Sequence, residues 1–217
     1  MTAATQDGEV TVTADGVPLP GRLTVSSGAV GVVVFAHGSG SSRNSARNRH
    51  VADVLHRSGL GTLLFDLLTD AEAARRENVF DIGLLARRLT GAVAWVRNRP
   101  AAVRLPVGLF GASTGAAATL VAAADAGSGI GAVVSRGGRP DLAGARLADV
   151  RSPTLLIVGG SDDVVLDLNR AAQKELSCTN RLVVVPGAGH LFEEPGTLDA
   201  VADLAAEWFS SHLPASG

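Results

Sequence analysis

The amino-acid sequence predicts an α/β fold, with a mostly parallel central sheet flanked by helices on both faces. Apolar runs of strand length alternate with helical patterns along the chain. The runs are apolar almost throughout, which is typical of parallel strands covered on both sides. A length of 217 residues, with 46% hydrophobic and 18% charged residues, fits one domain with a full core. We therefore expect a single domain over residues 1–217.

The first part of the chain predicts an antiparallel hairpin. The ranges 9–14 and 19–25 flank Asp15-Gly16, a pair that favours a tight turn. Six apolar runs follow and predict the parallel strands, at residues 31–36, 61–65, 107–110, 131–134, 153–158 and 181–185. Together these segments predict a sheet of about eight strands with an antiparallel start.

Helical patterns separate the predicted parallel strands. We expect helices at residues 45–57, 82–98, 114–125, 164–176 and 197–212. Right-handed crossovers place such helices on the two faces of the sheet. The loops after the strand carboxyl ends then meet at one edge, where ligands bind in sheets of this kind. No insertion is long enough to predict a large lid.

The range 107–118 carries the strongest functional motif. It combines an apolar strand, the turn Gly111-Ala112-Ser113-Thr114-Gly115 and a helix of small residues. A Gly-x-Ser-x-Gly turn in this context is typical of a nucleophile elbow, which holds a serine hydroxyl clear of the sheet. Ser113 is therefore the candidate nucleophile. Because 26 glycines make a chance match realistic, the neighbouring motifs must support this prediction.

A serine nucleophile needs a base, and the base needs an acid that orients it. His190 lies in a glycine-rich loop after the run 181–185, and we predict that it is the general base. The acid is Asp162 or Asp163, which both follow the run 153–158. We favour Asp162, because Asp163 directly precedes a predicted helix and can serve as its N-cap. The order Ser, Asp, His is that of the α/β-hydrolases.

The loop His37-Gly38-Ser39-Gly40-Ser41-Ser42 follows the run 31–36 and predicts an oxyanion hole. Such a site needs two backbone N–H groups, one from the residue after the nucleophile, which is Thr114. We expect Ser39 to supply the second, with Gly40 as the alternative, and His37 to brace the loop. A phosphate-binding turn is the competing interpretation. The loop has neither the dinucleotide-binding spacing nor the lysine of a P-loop.

Arginines cluster near the predicted functional edge, after the oxyanion loop and after the run 131–134. Arginine binds carboxylates and phosphates through paired N–H donors, so Arg43 and Arg136 are candidate substrate-binding residues for an acidic substrate. The alternative is that the arginines pair with nearby acids and fix loops. The acids available for such pairs are Asp66, Asp70, Glu77 and Asp141.

Composition narrows the partners and the compartment. A net charge of -2 and a pI near 6.2 provide no basic field for nucleic acid or an anionic membrane, so we expect a small-molecule partner. We find neither a leader-like N-terminus nor an apolar run long enough to span a membrane. Cys178 is the only cysteine, which excludes an internal disulfide and favours the cytoplasm.

These motifs resemble the α/β-hydrolase superfamily, and within it the dienelactone-hydrolase-like branch. The resemblance runs from about residue 30 to residue 212 and rests on residues 37–42, residues 111–115, Asp162 and His190. The chain is also similar to the hydrolase portion of some bacterial proteins that carry phosphoribosyltransferase domains. The resemblance implies an eight-stranded core, no cofactor and hydrolysis through an acyl-enzyme. Dienelactone hydrolases use a cysteine nucleophile, so Ser113 argues against dienelactone itself as the substrate.

The sequence therefore predicts a serine hydrolase that cleaves a carboxylic ester, lactone or thioester and needs no metal or cofactor. One alternative is acyl transfer to an acceptor other than water, or related lyase or peroxidase chemistry on the same triad. The other alternative is a non-catalytic binding protein with this fold. The substrate and the oligomeric state are left open by the sequence.

Overall fold

Eight strands form one open sheet in the computed structural model, which describes residues 5–213. The outermost four residues at each end of the predicted domain, including Met1, lie outside the described residues. The strands are β1 Gln6–Ala14, β2 Val17–Val25, β3 Val32–Ala36, β4 Gly61–Phe65, β5 Val107–Ala112, β6 Ile130–Arg136, β7 Thr154–Gly159 and β8 Asn180–Val185. Their order across the sheet is β1-β2-β4-β3-β5-β6-β7-β8.

The pairing of the strands confirms the predicted sheet. β2 pairs antiparallel with β1 and with β4, whereas every pair from β4 to β8 is parallel. Asp15 and Gly16 turn the first hairpin with φ angles of 50° and 74°. The positive φ values are those that an Asp-Gly turn provides.

The helices cover both faces of the sheet. They are α1 Ala46–Arg57, α2 Asp70–Ala73, α3 Arg76–Val79, α4 Ile82–Arg97, α5 Thr114–Ala124, α6 Asp163–Glu175 and α7 Thr197–His212. The five long helices are those predicted. The four-residue helices α2 and α3 and a 3-10 segment, Pro140–Asp149, occupy ranges where the sequence predicted loops. A helix of four residues spans only about one turn, so its sequence cannot show a repeated hydrophobic pattern.

The core forms two apolar layers, one on each face of the sheet. Leu89 of α4 and Leu120 of α5 belong to one layer, and Leu55 of α1 and Phe209 of α7 belong to the other. Along β3, the side chains alternate between the two layers, as the period of a strand requires. Burial on both faces explains why the strand sequences are apolar without alternation.

The parallel register places the functional loops side by side. Ala36 at the end of β3 is level with Gly111, and Ala112 at the end of β5 is level with Arg136. The carboxyl ends of β7 and β8 also meet, at Gly159 and Val185.

None of the helices between residues 5 and 213 is both long enough and apolar enough to cross a membrane.

Candidate active site

Ser113 occupies the sharp turn between β5 and α5. Its φ and ψ are 51° and -121°, a conformation that non-glycine residues rarely adopt. Three backbone hydrogen bonds hold the turn. The Ser113 N–H donates to the Arg136 carbonyl at 3.3 Å, and the Ser113 carbonyl accepts from the N–H groups of Ala116 at 3.1 Å and Arg139 at 3.2 Å. The Ser113 hydroxyl makes no capping bond to the helix. The elbow therefore leaves this hydroxyl free for chemistry.

The glycines of the elbow are required by close backbone approach. A Cβ at Gly111 would lie 2.5 Å from the Ala116 Cα, and one at Gly115 would collide with the carbonyl oxygen of Ala36. In the oxyanion loop, a Cβ at Gly38 would lie 2.9 Å from the Ser113 Cβ. These glycines allow the end of β3 and the elbow to touch.

The structure brings His190 and Asp162 together. The His190 Nδ1 donates to the Asp162 Oδ2 at 2.7 Å, across 28 residues of sequence. The Asp162 side chain is only 16% exposed, whereas that of His190 is 40% exposed. This bond fixes the ring and leaves Nε2 as the nitrogen available for proton transfer. Ser113 and His190 line the same cavity, of about 230 Å³.

The sequence analysis considered Asp163 as the N-cap of α6, and the structure shows that it is not. It is the first helical residue, and Asp162 occupies the N-cap position without a side-chain capping bond. The physical reason is that the Asp162 carboxylate turns away from the helix to accept from His190. The helix still begins there, because the Leu166 N–H donates to the Asp162 carbonyl at 2.8 Å.

The loop that carries His190 is held on both sides of the histidine. On one side, the Gly189 N–H donates to the Glu194 Oε1 at 3.1 Å. On the other side, the buried Phe192 adopts a positive φ of 54°. A Cβ at Gly137, beyond the end of β6, would lie 3.1 Å from the His190 carbonyl. No motif in the sequence indicates the roles of Phe192 and Glu194, because both depend on how this loop folds back.

His37 braces the oxyanion loop, as the sequence predicts. Its Nε2 accepts from the Leu67 N–H at 3.1 Å, so its Nδ1 carries the proton and donates to the Gly38 carbonyl at 3.0 Å. Burial lowers the pKa of His37 below its ordinary value, which keeps the ring neutral in this role.

The two predicted oxyanion residues touch each other. The Ser39 N–H donates to the Thr114 Oγ1 at 3.0 Å, and Thr114 is the first residue of α5. The sequence predicts a role for the Thr114 backbone N–H. It does not predict that the Thr114 hydroxyl accepts a hydrogen bond from the Ser39 N–H. Gly40, the alternative donor, has a φ of 69°.

The candidate arginines differ sharply in their partners. The Arg43 Nη1 donates to the Asp66 Oδ2 at 2.7 Å, and the Arg43 backbone N–H donates to the Asp66 Oδ1 at 2.6 Å. Arg139 binds Asp141 through its guanidinium alone: Nε donates to Oδ1 at 2.9 Å and Nη2 donates to Oδ2 at 2.7 Å. Arg136 is only 8% exposed and lines the cavity of Ser113 and His190, together with Arg47. Its Nε and Nη1 atoms are buried without a hydrogen-bond partner.

Three further histidines have structural contacts. His50 lies 2.7 Å from Asp199, and His56 lies 2.7 Å from Thr62. The His212 Nδ1 donates to the Trp208 carbonyl at 2.9 Å. None of these three histidines lines the cavity of Ser113 and His190.

Comparison with known proteins places this geometry in a family context. The sequence model of the dienelactone hydrolase family matches residues 21–212. Two Mycobacterium tuberculosis proteins, both provisionally named phosphoribosyl transferases, are 60% identical over 212 residues. The match covers 98% of this chain and 48% of each relative, so the chain spans about half the length of these curated relatives.

Solved structures share the fold. The crystal structure of a dienelactone hydrolase from Anabaena variabilis is 55% identical, with a TM-score of 0.93, covering 96% of this chain and 99% of its own. Est1E from Butyrivibrio proteoclasticus, solved with ferulic acid bound, has a TM-score of 0.79 at 16% identity. That match covers 94% of this chain and 98% of Est1E, and at this identity it shows the fold alone.

Proposed function

Because the chain belongs to the dienelactone hydrolase family and is an α/β-hydrolase enzyme, we propose that it is a serine hydrolase that cleaves a carboxylic ester, lactone or thioester through an acyl-enzyme. The observation that carries this proposal is the 2.7 Å bond between His190 and Asp162 beside the cavity that Ser113 also lines. A nucleophile, a base and an orienting acid at one sheet edge are the requirements of this chemistry.

In the proposed mechanism, the Ser113 hydroxyl attacks the carbonyl carbon while the His190 Nε2 takes its proton. Asp162 stabilises the imidazolium that forms, and His190 then donates the proton to the leaving oxygen or sulfur as its bond to the acyl carbon breaks. Water then gives a proton to His190 as its oxygen bonds to the acyl carbon. His190 returns this proton to the Ser113 oxygen as the acyl bond to Ser113 breaks and the acid leaves. The 40% exposure of His190 supports this step, because water can reach the ring.

The oxyanion of each tetrahedral intermediate is stabilised, in this proposal, by the backbone N–H groups of Thr114 and Ser39. The Ser39 N–H donates to the Thr114 hydroxyl when no substrate is bound. We propose that the substrate carbonyl oxygen replaces this hydroxyl as the acceptor. The loop is held ready for that exchange by the bonds of His37 to Leu67 and Gly38.

We assign the two candidate arginines different roles. Arg43 fixes a loop, because its guanidinium and its backbone N–H both bind Asp66. Arg136 is the candidate substrate-binding residue, because it faces the Ser113 cavity with unpaired donors. The proposed partner is a small-molecule ester or a related acyl compound. A cytoplasmic location is part of the proposal, since the single cysteine, Cys178, is a free thiol.

Hydrolysis of 4-nitrophenyl acetate tests the proposed function. We expect measurable turnover by the wild-type protein and a loss of about 1,000-fold or more in kcat for Ser113→Ala, because the acyl-enzyme can no longer form. Ser58→Ala is the matched control, since Ser58 is an exposed residue at the end of α1. Equal turnover by wild type and Ser113→Ala would exclude the mechanism.

A further inference from the structure

Arg136 is a buried cation that has no acidic partner within residues 5–213. Arg88 shows what the same fold does elsewhere: it is 4% exposed, and its Nη2 lies 2.7 Å from the Glu72 carboxylate. Arg136 is 8% exposed, yet within residues 5–213 no carboxylate lies in ion-pair distance of it. A buried charge is costly unless it is paired. The unpaired donors of Arg136 therefore point to an anion that comes from outside the chain.

A second guanidinium stands at the same cavity. Arg47 lines it too, and the Arg47 Nη1 lies 3.2 Å from the carboxylate of Glu193, whose side chain is 65% exposed. Two guanidinium groups therefore line the cavity that His190 also lines, and Glu193 is not among the lining residues. Burial, together with the nearby charge of Arg47, lowers the pKa of Arg136 to about 10, so Arg136 remains charged at neutral pH.

The position of His190 indicates which half of the substrate meets these cations. In the proposed mechanism, His190 returns its proton to the leaving group, so the leaving group lies on the His190 side of Ser113. The cavity of Arg136 and Arg47 is lined by His190 and Leu191. The anion of the substrate therefore belongs to the leaving group.

A second cavity, of about 180 Å³, lies on the other side of the oxyanion loop. Gly38, Ser39 and Ser41 line both cavities, so the loop separates them. Apolar side chains and acidic side chains both line the second cavity and, among the residues that the structure describes, no arginine or lysine does, a combination that suits an uncharged acyl chain. Its apolar lining is Leu67, Leu68, Val79 and Leu85, and its acids are Asp66 and Asp70.

We propose that the substrate is an ester or thioester of an apolar acid whose leaving group carries a carboxylate or phosphate, bound by Arg136 with Arg47 at the rim. This inference rests on the proposed function of the same site. The reaction consumes one water: the bond from the acyl carbon to the leaving atom breaks, His190 protonates that atom, and the carboxylate or phosphate is unchanged. Arg136 is a specificity residue in this scheme, because it touches the part of the substrate that does not react.

Matched acetyl esters test the inference. The probes are 4-acetoxybenzoate and 4-acetoxyphenyl phosphate, whose leaving groups are anionic, and 4-acetoxybenzamide, whose leaving group is neutral. We expect wild type to prefer at least one anionic ester in kcat/KM. Arg136→Gln should lower the ratio of kcat/KM for that ester to kcat/KM for the neutral ester by about tenfold to 100-fold, as expected for lost hydrogen bonds to a charged group. The preferred probe distinguishes a carboxylate from a phosphate.

Two further variants guard the interpretation. Arg139→Gln is the control, because that arginine is 40% exposed and paired with Asp141, and it should leave the ratio unchanged. Arg136→Lys keeps the charge and should retain part of the preference, which protects the test if Arg136→Gln fails to fold. An unchanged ratio in folded Arg136→Gln would overturn the inference, and so would a wild-type preference for 4-nitrophenyl hydrogen succinate, which carries its anion on the acyl side, over neutral 4-nitrophenyl acetate.

A binding measurement separates this inference from the proposed function. Ser113→Ala should bind 4-hydroxybenzoate or 4-hydroxyphenyl phosphate, and adding Arg136→Gln should weaken that binding by tenfold or more in calorimetry. If wild type hydrolyses no ester but this difference in binding is observed, the proposed hydrolase function fails and the anion site stands. If esters are hydrolysed but the binding difference is absent, only the anion site fails.

Discussion

The Asp162 carboxylate binds the imidazole ring of His190. We therefore expect a substitution of Asp162 to lower kcat more than it changes KM. In Asp162→Asn, the side-chain NH2 can donate to the His190 Nδ1, so the side chain no longer selects the Nδ1–H tautomer. We expect kcat for 4-nitrophenyl acetate to fall by about 1,000-fold or more, with KM within about threefold. Asp163→Asn is the control, because that side chain is exposed and should change kcat by less than about twofold. Equal losses in the two variants would contradict the assignment.

At the scale of residues, the sequence predicts which residues are candidates for the site better than it predicts the ion-pair partners of the arginines. Ser113, Asp162 and His190 follow three different strands, so a parallel sheet alone places them on one edge. The partners of the arginines depend on which acid follows which strand. Asp66, just after β4, forms an ion pair with Arg43, whereas no acid within the described chain forms an ion pair with Arg136. That difference arises from sheet order, which a list of charges along the sequence does not contain.

The elbow and the oxyanion loop form one unit, because Gly115 lets their backbones touch. In Gly115→Ala, the new methyl group would collide with the Ala36 carbonyl and push the loop away from Thr114. We expect a loss of more than about 3 kcal/mol in the free energy of unfolding, measured in urea. Gly28→Ala has open space around its Cβ and should stay within about 0.5 kcal/mol. A mild effect at Gly115 would show that the two segments are not in contact.

The brace at His37 should make stability depend on pH. Burial lowers the pKa of His37 from its ordinary value of 6.5, so the unfolded chain binds a proton more readily than the folded chain. The contribution of the neutral ring is therefore complete above pH 6.5 and is lost as the pH falls below it. Urea unfolding at pH 7.5 and 5.5 should show a smaller drop in stability for His37→Gln than for wild type. The same drop in both proteins would refute this role.

At the scale of elements, long patterns were predictable and short ones were not. Strands and helices with continuous apolar or periodic sequences matched their predictions within a few residues. α2 depends on a local capping box instead, in which Thr69 and Glu72 exchange hydrogen bonds. The 3-10 segment Pro140–Asp149 is interrupted at Gly144, where φ is 53°. Both lie between the predicted elements and form the surroundings of the site.

At the scale of the whole molecule, the eight-stranded order converts four separate loops into one candidate site. The loops after β3, β5, β7 and β8 each contribute one of the groups that we propose for catalysis: an amide, a nucleophile, an acid and a base. The sequence predicts this convergence because neighbouring parallel strands end at the same edge. The two cavities on either side of the oxyanion loop were not predictable, because their walls come from side chains that meet only in the folded sheet.

The central claim is that Ser113 is an activated nucleophile. Its most direct test is to react the folded protein with a fluorophosphonate probe and to locate the adduct by intact mass and peptide mapping. We predict one adduct, on Ser113, formed at least about 100-fold more slowly in Asp162→Asn and absent from Ser113→Ala. No adduct on the wild-type protein, or an adduct on a different residue, would contradict the claim.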